Sequence, residues 1–451
     1  MKTPKLMAGF PPKPETQVTL ANWRTAPFNT WAFQHVREII PSADIPNDAG
    51  QARKFPFKPQ DLASVKVGRA SLAKVLEATS TDGIVVLHKG AVVFEHYANG
   101  MGERTPHILM SVSKSMLGLL AGILIGKGAL KHDALVTSIV SEVKGTAYDS
   151  ATVRNLLDMR VGIHFDEDYL ATSGPIIEYR KATNWNPLGP GDTPSDLRTF
   201  YRHRTKTDGK HGGRFHYVSP NTDLLGWVIE RASGCRYADL MSTLLWQPMG
   251  AADPAYITVD RLGAPRCAGG MNTTTRDLAC VGQLIVKGGA RGGTQVVPES
   301  WIEGILNDGD AEAWNAGSFL EFYPGAAMHY RAKWYVERDR HPRLFGMGVH
   351  GQNLFVDPRN QIVIAKFSSQ PPPLDARLIQ LTSELVTAIR QALTCHAAAS
   401  GFVSPLLQSV RLASCPRIGH YAQWATWHAI TSRDAGCRER GCNCTLPGQE
   451  C

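Results

Sequence analysis

The chain has 451 residues, 43% of them hydrophobic and 20% charged, a balance that excludes an intrinsically disordered polymer and provides enough length for a real core. Its formal net charge of +8 is scattered, and the densest basic stretch, Tyr201 to Arg214, is broken by glycine and threonine without the interleaved aromatics or groove-reading motif of a nucleic-acid binder. The N-terminus runs from lysines into prolines with no signal-like apolar core, and the longest apolar run, Met116 to Ile125, is too short to cross a bilayer, so a cytoplasmic protein with no membrane contact is expected.

In chain order, the first strong pattern is TDGIVVLHKGAVVFEHYA, residues 81–98, two β-rich runs around Lys89-Gly90 that predict a hairpin. HILMSVSKSMLGLLAGIL, residues 107–124, follows as a helix apolar nearly all round, which predicts a central, buried element with Ser111 at its first turn. Residues 151–163 predict a short helix, residues 174–213 a loop rich in Gly, Pro, Asn and Asp, and residues 221–234 an amphipathic helix stopped by glycine. A helix capped at Thr274 or Thr275 is predicted over 273–289. A second hairpin over 351–369 turns at Asp357-Pro358-Arg359-Asn360, and a last helix spans 375–393. Strands at both ends and helices between them predict an α/β (α+β) chain: one antiparallel sheet flanked by helices, drawn from about 30–110 and 270–394, with a mainly helical region inserted over about 111–269.

Beyond residue 394 the character changes. Six of the nine cysteines, Cys395, Cys415, Cys437, Cys442, Cys444 and Cys451, fall in this stretch, whereas Cys235, Cys267 and Cys280 are scattered as in a protein of a reducing compartment. The spacing lacks a paired C-x-x-C, so residues 395–451 read as an extension outside the folded body rather than a zinc site, and no metal or cofactor is called for.

The chemistry concentrates at Ser111-Val112-Ser113-Lys114. A serine hydroxyl needs a base within hydrogen-bond reach to become a nucleophile, and residues three apart on a helix share a face. Burial under the apolar helix disfavours the lysine's ammonium form and lets the amine accept a proton. The helix N-terminus also directs free backbone N–H groups at any oxyanion formed beside Ser111. Such a four-residue pattern recurs by chance, and its bland reading is a helix cap followed by a surface lysine. FHYVSPNTDLLGWVIERASG, residues 215–234, adds Tyr217 just ahead of a helix as a second proton carrier, with Ser219 and Asn221 beside it.

With LMSVSKS, LDMRVGIHFDEDY, FHYVSPNTD and GVHGQNLFVDPR in this order, the body resembles the serine β-lactamase-like hydrolases, which include class C β-lactamases and D-alanyl-D-alanine peptidases. Within that group it is most similar to the nylon-oligomer (6-aminohexanoate-dimer) hydrolases. The resemblance implies a β-lactamase/transpeptidase-like fold over residues 1–394, with Ser111 as nucleophile, Lys114 as its proton acceptor and Tyr217 as the relay to the leaving group. It implies an oxyanion hole from the backbone N–H groups of Ser111 and Val349, and substrate contacts from Tyr169 and Trp334. Read as residues alone, Tyr169 and Trp334 serve equally well as core aromatics. Ser113 reads as a structural neighbour of the nucleophile.

Two departures stand out. The K-[ST]-G or H-x-G strand of the wider superfamily is absent. Gly346-Met347-Gly348-Val349 and His350-Gly351 occupy its place, and His350 is either a substrate-orienting group or a hydrogen-bonded structural histidine. Where an acidic loop residue would hold a substrate amine, the chain carries Arg180 and Lys181 beside Glu178, which would repel an ammonium. The expected activity is hydrolysis of a small-molecule amide or ester through an acyl-enzyme, with 6-aminohexanoate oligomers and short carboxylic esters as substrates. A β-lactamase or D-alanyl-D-alanine peptidase, and a noncatalytic ligand-binding relative, are the alternatives. The sequence leaves a homo-oligomer open.

Overall fold

The computed structural model describes residues 5–338 and 342–399. The strands of its two larger sheets, in chain order, are β1 (Ser42–Ile45), β2 (Thr81–His88), β3 (Ala91–Tyr97), β4 (His107–Ile108), β5 (Ala255–Thr258), β6 (Met271–Thr273), β7 (Met328–Arg331), β8 (Trp334–Glu337), β9 (Arg343–Gly348), β10 (Gln352–Asp357) and β11 (Ile362–Ser368). Seven of them form one antiparallel sheet in the order β7-β8-β9-β10-β11-β2-β3. The register Ile364↔Val86 joins the C-terminal hairpin to the N-terminal one. A second sheet, β1-β5-β6-β4, is short, antiparallel and absent from the sequence-level expectation, because runs of two to four residues carry no readable period.

The large sheet is covered on both faces, and side-chain parity sorts its residues between two cores. Val85, Leu87, Val363, Ala365, Leu354, Val356, Trp334 and Val336 belong to one. Ile84, Val86, Ile362, Ile364, Phe355, Phe345 and Tyr335 belong to the other. The helices that bear on the site are α1 (Val112–Gly126), α2 (Val153–Leu157), α3 (Pro175–Ala182), α4 (Leu197–Arg202), α5 (Pro220–Ser233), α6 (Thr275–Val286) and α7 (Ala376–Ala399). Leu278, Val281 and Leu284 of α6 pack in the first core, and Leu385, Val386 and Ile389 of α7 in the second.

Local chemistry explains the element ends. At Lys89-Gly90 both residues have positive φ, 51° and 78°, as a two-residue hairpin turn requires. Thr152 and Asn155 form a reciprocal capping box on α2, Thr274 caps α6 through the Asp277 amide, and Gly234 ends α5 in the left-handed region. Residues 174–213, expected as loop, contain α3 and α4. Pro175 opens α3 at its first turn, and the Asp196 carboxylate caps α4 at the Thr199 amide.

Helix α1 is buried from Val112 to Leu124. It approaches its neighbours so closely that a β-carbon at Gly118 would stand 2.1 Å from the Ala332 carbonyl oxygen and one at Gly122 2.3 Å from the Trp301 indole. No helix of the described residues is long and apolar enough to cross a membrane. The cysteine-rich stretch lies outside the described residues apart from Cys395; the described cysteines are free thiols, with Cys267 and Cys280 buried.

Candidate active site

Ser111 is the residue from which α1 springs, at φ −68° and ψ −8°. Met110 before it is buried and held at φ 45°, a conformation that a non-glycine residue adopts only when its surroundings enforce it. One turn later, Lys114 Nζ lies 2.7 Å from Ser111 Oγ and donates to the Ala268 carbonyl oxygen at 2.7 Å. Lys114 is 1% exposed. Burial lowers its pKa to about 7, helped by the Arg266 guanidinium and opposed by Glu167 and Asp223. The amine is therefore available as a base near neutrality. Ser113 turns away and accepts the Met271 amide at 3.1 Å, tying α1 to β6.

Tyr217 enters from the segment ahead of α5. Its ring lies under Lys114, with Nζ 4.9 Å from the ring centroid, and Ser111 is among the groups that act on its hydroxyl. Burial, then the Glu167 carboxylate, push the phenol's pKa upward. The three residues brought together by motif reasoning thus share one corner, with Lys114 and Tyr217 buried and Ser111 at the cleft wall. Across from them, β9 runs past the start of α1: a β-carbon at Gly348 would stand 2.9 Å from the Ser111 amide nitrogen and 2.8 Å from the Leu109 carbonyl oxygen. This close approach brings Val349 to the rim of the same cleft as Ser111.

The cleft encloses about 370 Å³ and is walled by Ser111, Tyr169, Ser219, Val349 and His350 together with Pro371 and the two prolines after it. Tyr169 donates to Glu167 at 2.8 Å, and the same carboxylate accepts the Ser219 hydroxyl and amide. His350, at φ 62°, sits with Nδ1 2.7 Å from the Gln370 carbonyl oxygen. Burial, with Arg24 and Arg180 nearby, lowers its pKa to about 4, so the ring is neutral.

Trp334 does not border the cleft. It is fully buried in the first core, because on β8 its side chain points to the face away from Tyr217, while Tyr335, one residue on, shares the second core with Tyr217. Of Glu178, Arg180 and Lys181, only Arg180 reaches the cleft wall. Lys181 pairs with Asp192 at 2.5 Å and Glu178 with Arg204 at 3.0 Å.

Other groups were not singled out by sequence reasoning. Asp223 accepts Arg266 Nη1 at 2.6 Å, the Tyr179 hydroxyl and the Ala268 amide at 2.7 Å, and so fixes the carbonyl that holds Lys114. Glu167 and Asp223 lie inside motifs quoted for the resemblance, yet Ser219 is 52 residues from Glu167 and Arg266 43 from Asp223, and no local period announces these pairings. Among the described residues, no cluster of histidine, cysteine and carboxylate side chains is arranged to hold a metal.

The profile of the beta-lactamase family matches residues 70–388. The chain belongs to the beta-lactamase family. It is 35% identical over 391 residues to the 6-aminohexanoate-dimer hydrolase of Paenarthrobacter ureafaciens, covering 86% of this chain and 97% of that one. The structure of a Bacillus anthracis protein named as a 6-aminohexanoate-dimer hydrolase superposes with a TM-score of 0.77 at 27% identity, over 85% of this chain and 99% of that one. An octameric penicillin-binding protein homologue from Pyrococcus abyssi shares the fold, at TM-score 0.53 and 18% identity over 70% of this chain and 76% of that one. The chain is accordingly a serine hydrolase with the β-lactamase/transpeptidase-like arrangement of helices and antiparallel strands.

Proposed function

We propose that this beta-lactamase family member hydrolyses amide or ester bonds of small linear molecules, 6-aminohexanoate oligomers among them, in the cytoplasm and through an acyl-enzyme on Ser111. The observation that carries the reading is the 2.7 Å approach of Lys114 Nζ to Ser111 Oγ in a site where the amine's pKa is about 7. Lys114 takes the hydroxyl proton as Ser111 Oγ attacks the carbonyl carbon. The amides of Ser111 and Val349 receive the oxyanion, and Tyr217 passes a proton to the departing amine or alcohol. Water then attacks the acyl-enzyme by the reverse relay. Amides and esters share the tetrahedral intermediate, so both fall within the same machinery. Tyr169 and His350, on the cleft wall, contact the substrate.

Ser111→Ala tests the reading. Turnover of short p-nitrophenyl esters and of the 6-aminohexanoate dimer should vanish, and a fluorophosphonate probe should label the wild-type serine alone. Ester turnover persisting in the variant would falsify the assignment. A chromogenic cephalosporin run beside these substrates separates the proposed specificity from that of a β-lactamase.

A further inference from the structure

Three guanidiniums, those of Arg24, Arg180 and Arg266, reach the wall of the cleft that holds Ser111, and they come from three separate parts of the chain. Arg266 is neutralised by Asp223. Arg24 and Arg180 have no carboxylate partner among the described residues. Arg24 donates to the Asn186 side chain and Arg180 to the Tyr169 carbonyl oxygen at 3.0 Å. Both are held in place. The Arg24 guanidinium lies 5.5 Å from the Trp23 ring and 5.9 Å from the Trp185 ring, and Arg266 lies 4.7 Å from that same Trp185. Arg24 Nε is buried with no hydrogen-bond partner, and Arg180 is only 8% exposed.

The nearby acids balance them only in part. Asp223 is taken by Arg266 and Tyr179, Asp168 is exposed and accepts the Leu170 amide, and the Glu167 carboxylate, which accepts from the Ser219 and Tyr169 hydroxyls, lines the same cleft and offsets part of the Arg180 charge without touching either guanidinium. Burying two cations that no carboxylate contacts is unfavourable: Arg24 is lowered to about 9 by burial, then by Arg180 and Arg266, and Arg180 is lowered by burial. Such an arrangement is relieved by an anion entering between them, since guanidinium and carboxylate match in geometry as well as charge.

We propose that Arg24 and Arg180 form a carboxylate-binding subsite, so that the amide or ester hydrolysed at Ser111 carries a free carboxylate elsewhere on the molecule. The subsite rests on the hydrolase reading for its catalytic consequence, though not for its binding consequence. It selects anionic over neutral substrates and disfavours an ammonium at the same place.

Matched substrates test it on the full chain: p-nitrophenyl hexanoate, the p-nitrophenyl monoester of adipic acid, and the p-nitrophenyl ester of 6-aminohexanoic acid. N-hexanoyl-6-aminohexanoate, compared with its methyl ester, places the carboxylate on the leaving side instead. In the wild type one anionic substrate should exceed its neutral counterpart in kcat/KM by at least about ten-fold, an advantage that shrinks at high salt, and the ammonium ester should be the slowest. Arg180→Gln and Arg24→Gln should bring that ratio down towards one, and Arg180→Lys should restore part of it. A wild-type ratio near one for both pairs, or a ratio unmoved by both glutamine variants, overturns the subsite while leaving the hydrolase intact. Loss of the hydrolase reading shows differently, as ester turnover that survives Ser111→Ala. In that event, calorimetric titration with hexanoate against hexanamide decides: binding of hexanoate alone, lost in the Arg24→Gln/Arg180→Gln double variant, sustains the subsite, and equal or absent binding ends it.

Discussion

At the scale of single residues, the decisive quantity is the protonation state of Lys114. Its ammonium is disfavoured by burial, and its pKa of about 7 means that the base form dominates only above neutrality. A base that must be deprotonated gives a rate that rises with pH and then levels, so kcat/KM for an uncharged ester should fall about ten-fold per unit below pH 7 and plateau above about pH 8. A pH–rate profile flat between pH 5 and 8 would contradict this role. Lys114→Met keeps the volume and removes the base; it should lower kcat by roughly 10²- to 10⁴-fold with the fold intact by circular dichroism. Glu167 and Asp223 work in the opposite direction to burial, and they keep the amine from falling far below neutrality. Sequence alone placed Ser111 and Lys114 because one helical turn fixes their separation, and Tyr217 because it stands just ahead of a helix, in a segment that the resemblance also names. Arg24, Arg266 and the Ala268 carbonyl were beyond it: each reaches the cleft from more than 80 residues away from Ser111, and nothing in its own neighbourhood marks the destination.

At the scale of elements, the cleft depends on how near β9 passes to the start of α1. Gly348 has an ordinary extended φ of −131°, so glycine is required here by space and not by backbone freedom. A methyl group would meet the Ser111 amide nitrogen at 2.9 Å and the Leu109 carbonyl oxygen at 2.8 Å, both backbone atoms that move only with their elements. Gly348→Ala should therefore push β9 outward and misplace the Val349 amide; loss of one oxyanion donor predicts a kcat lower by about 10²-fold with a smaller change in KM. Near wild-type kcat in this variant would mean that Val349 N–H is not a donor to the oxyanion. The same strands show where pattern reading fails. On β8, Trp334, Tyr335 and Val336 are all apolar or aromatic, because the sheet is covered on both faces, so no alternation tells which side chain faces the site. The two hairpins were readable for the converse reason, each having turn residues that punctuate long β-branched runs. Helices α3 and α4 were hidden by glycine and proline around them, though the Asp196 cap was a signal to be had.

At the scale of the whole molecule, the question is what keeps two sheets and a proline-rich wall in register around one serine. Asp82, on β2 of the large sheet, is fully buried and serves three partners. One oxygen lies 3.2 Å from His107 Nε2 on β4 of the small sheet, and the other accepts Ser369 Oγ at 3.1 Å and Asn99 Nδ2 at 2.7 Å. Ser369 leads directly into Gln370 and the three prolines that wall the cleft, and the carbonyls of Gln370 and Pro373 hold His350 in its left-handed conformation. A single carboxylate thus couples both sheets to the rim of the site. Asp82→Ala removes the acceptor for all three and leaves buried polar groups without partners, which should destabilise the fold by about 3–5 kcal/mol. For a protein of this size that corresponds to a fall of roughly 3–6 °C in Tm. Asp82→Asn, which keeps one acceptor and the shape, should lose less. If the network also sets the cleft wall, Asp82→Ala will lower kcat/KM at temperatures well below its own unfolding transition, whereas a purely structural tie predicts full activity there; thermal unfolding and low-temperature kinetics on the same preparation distinguish the two.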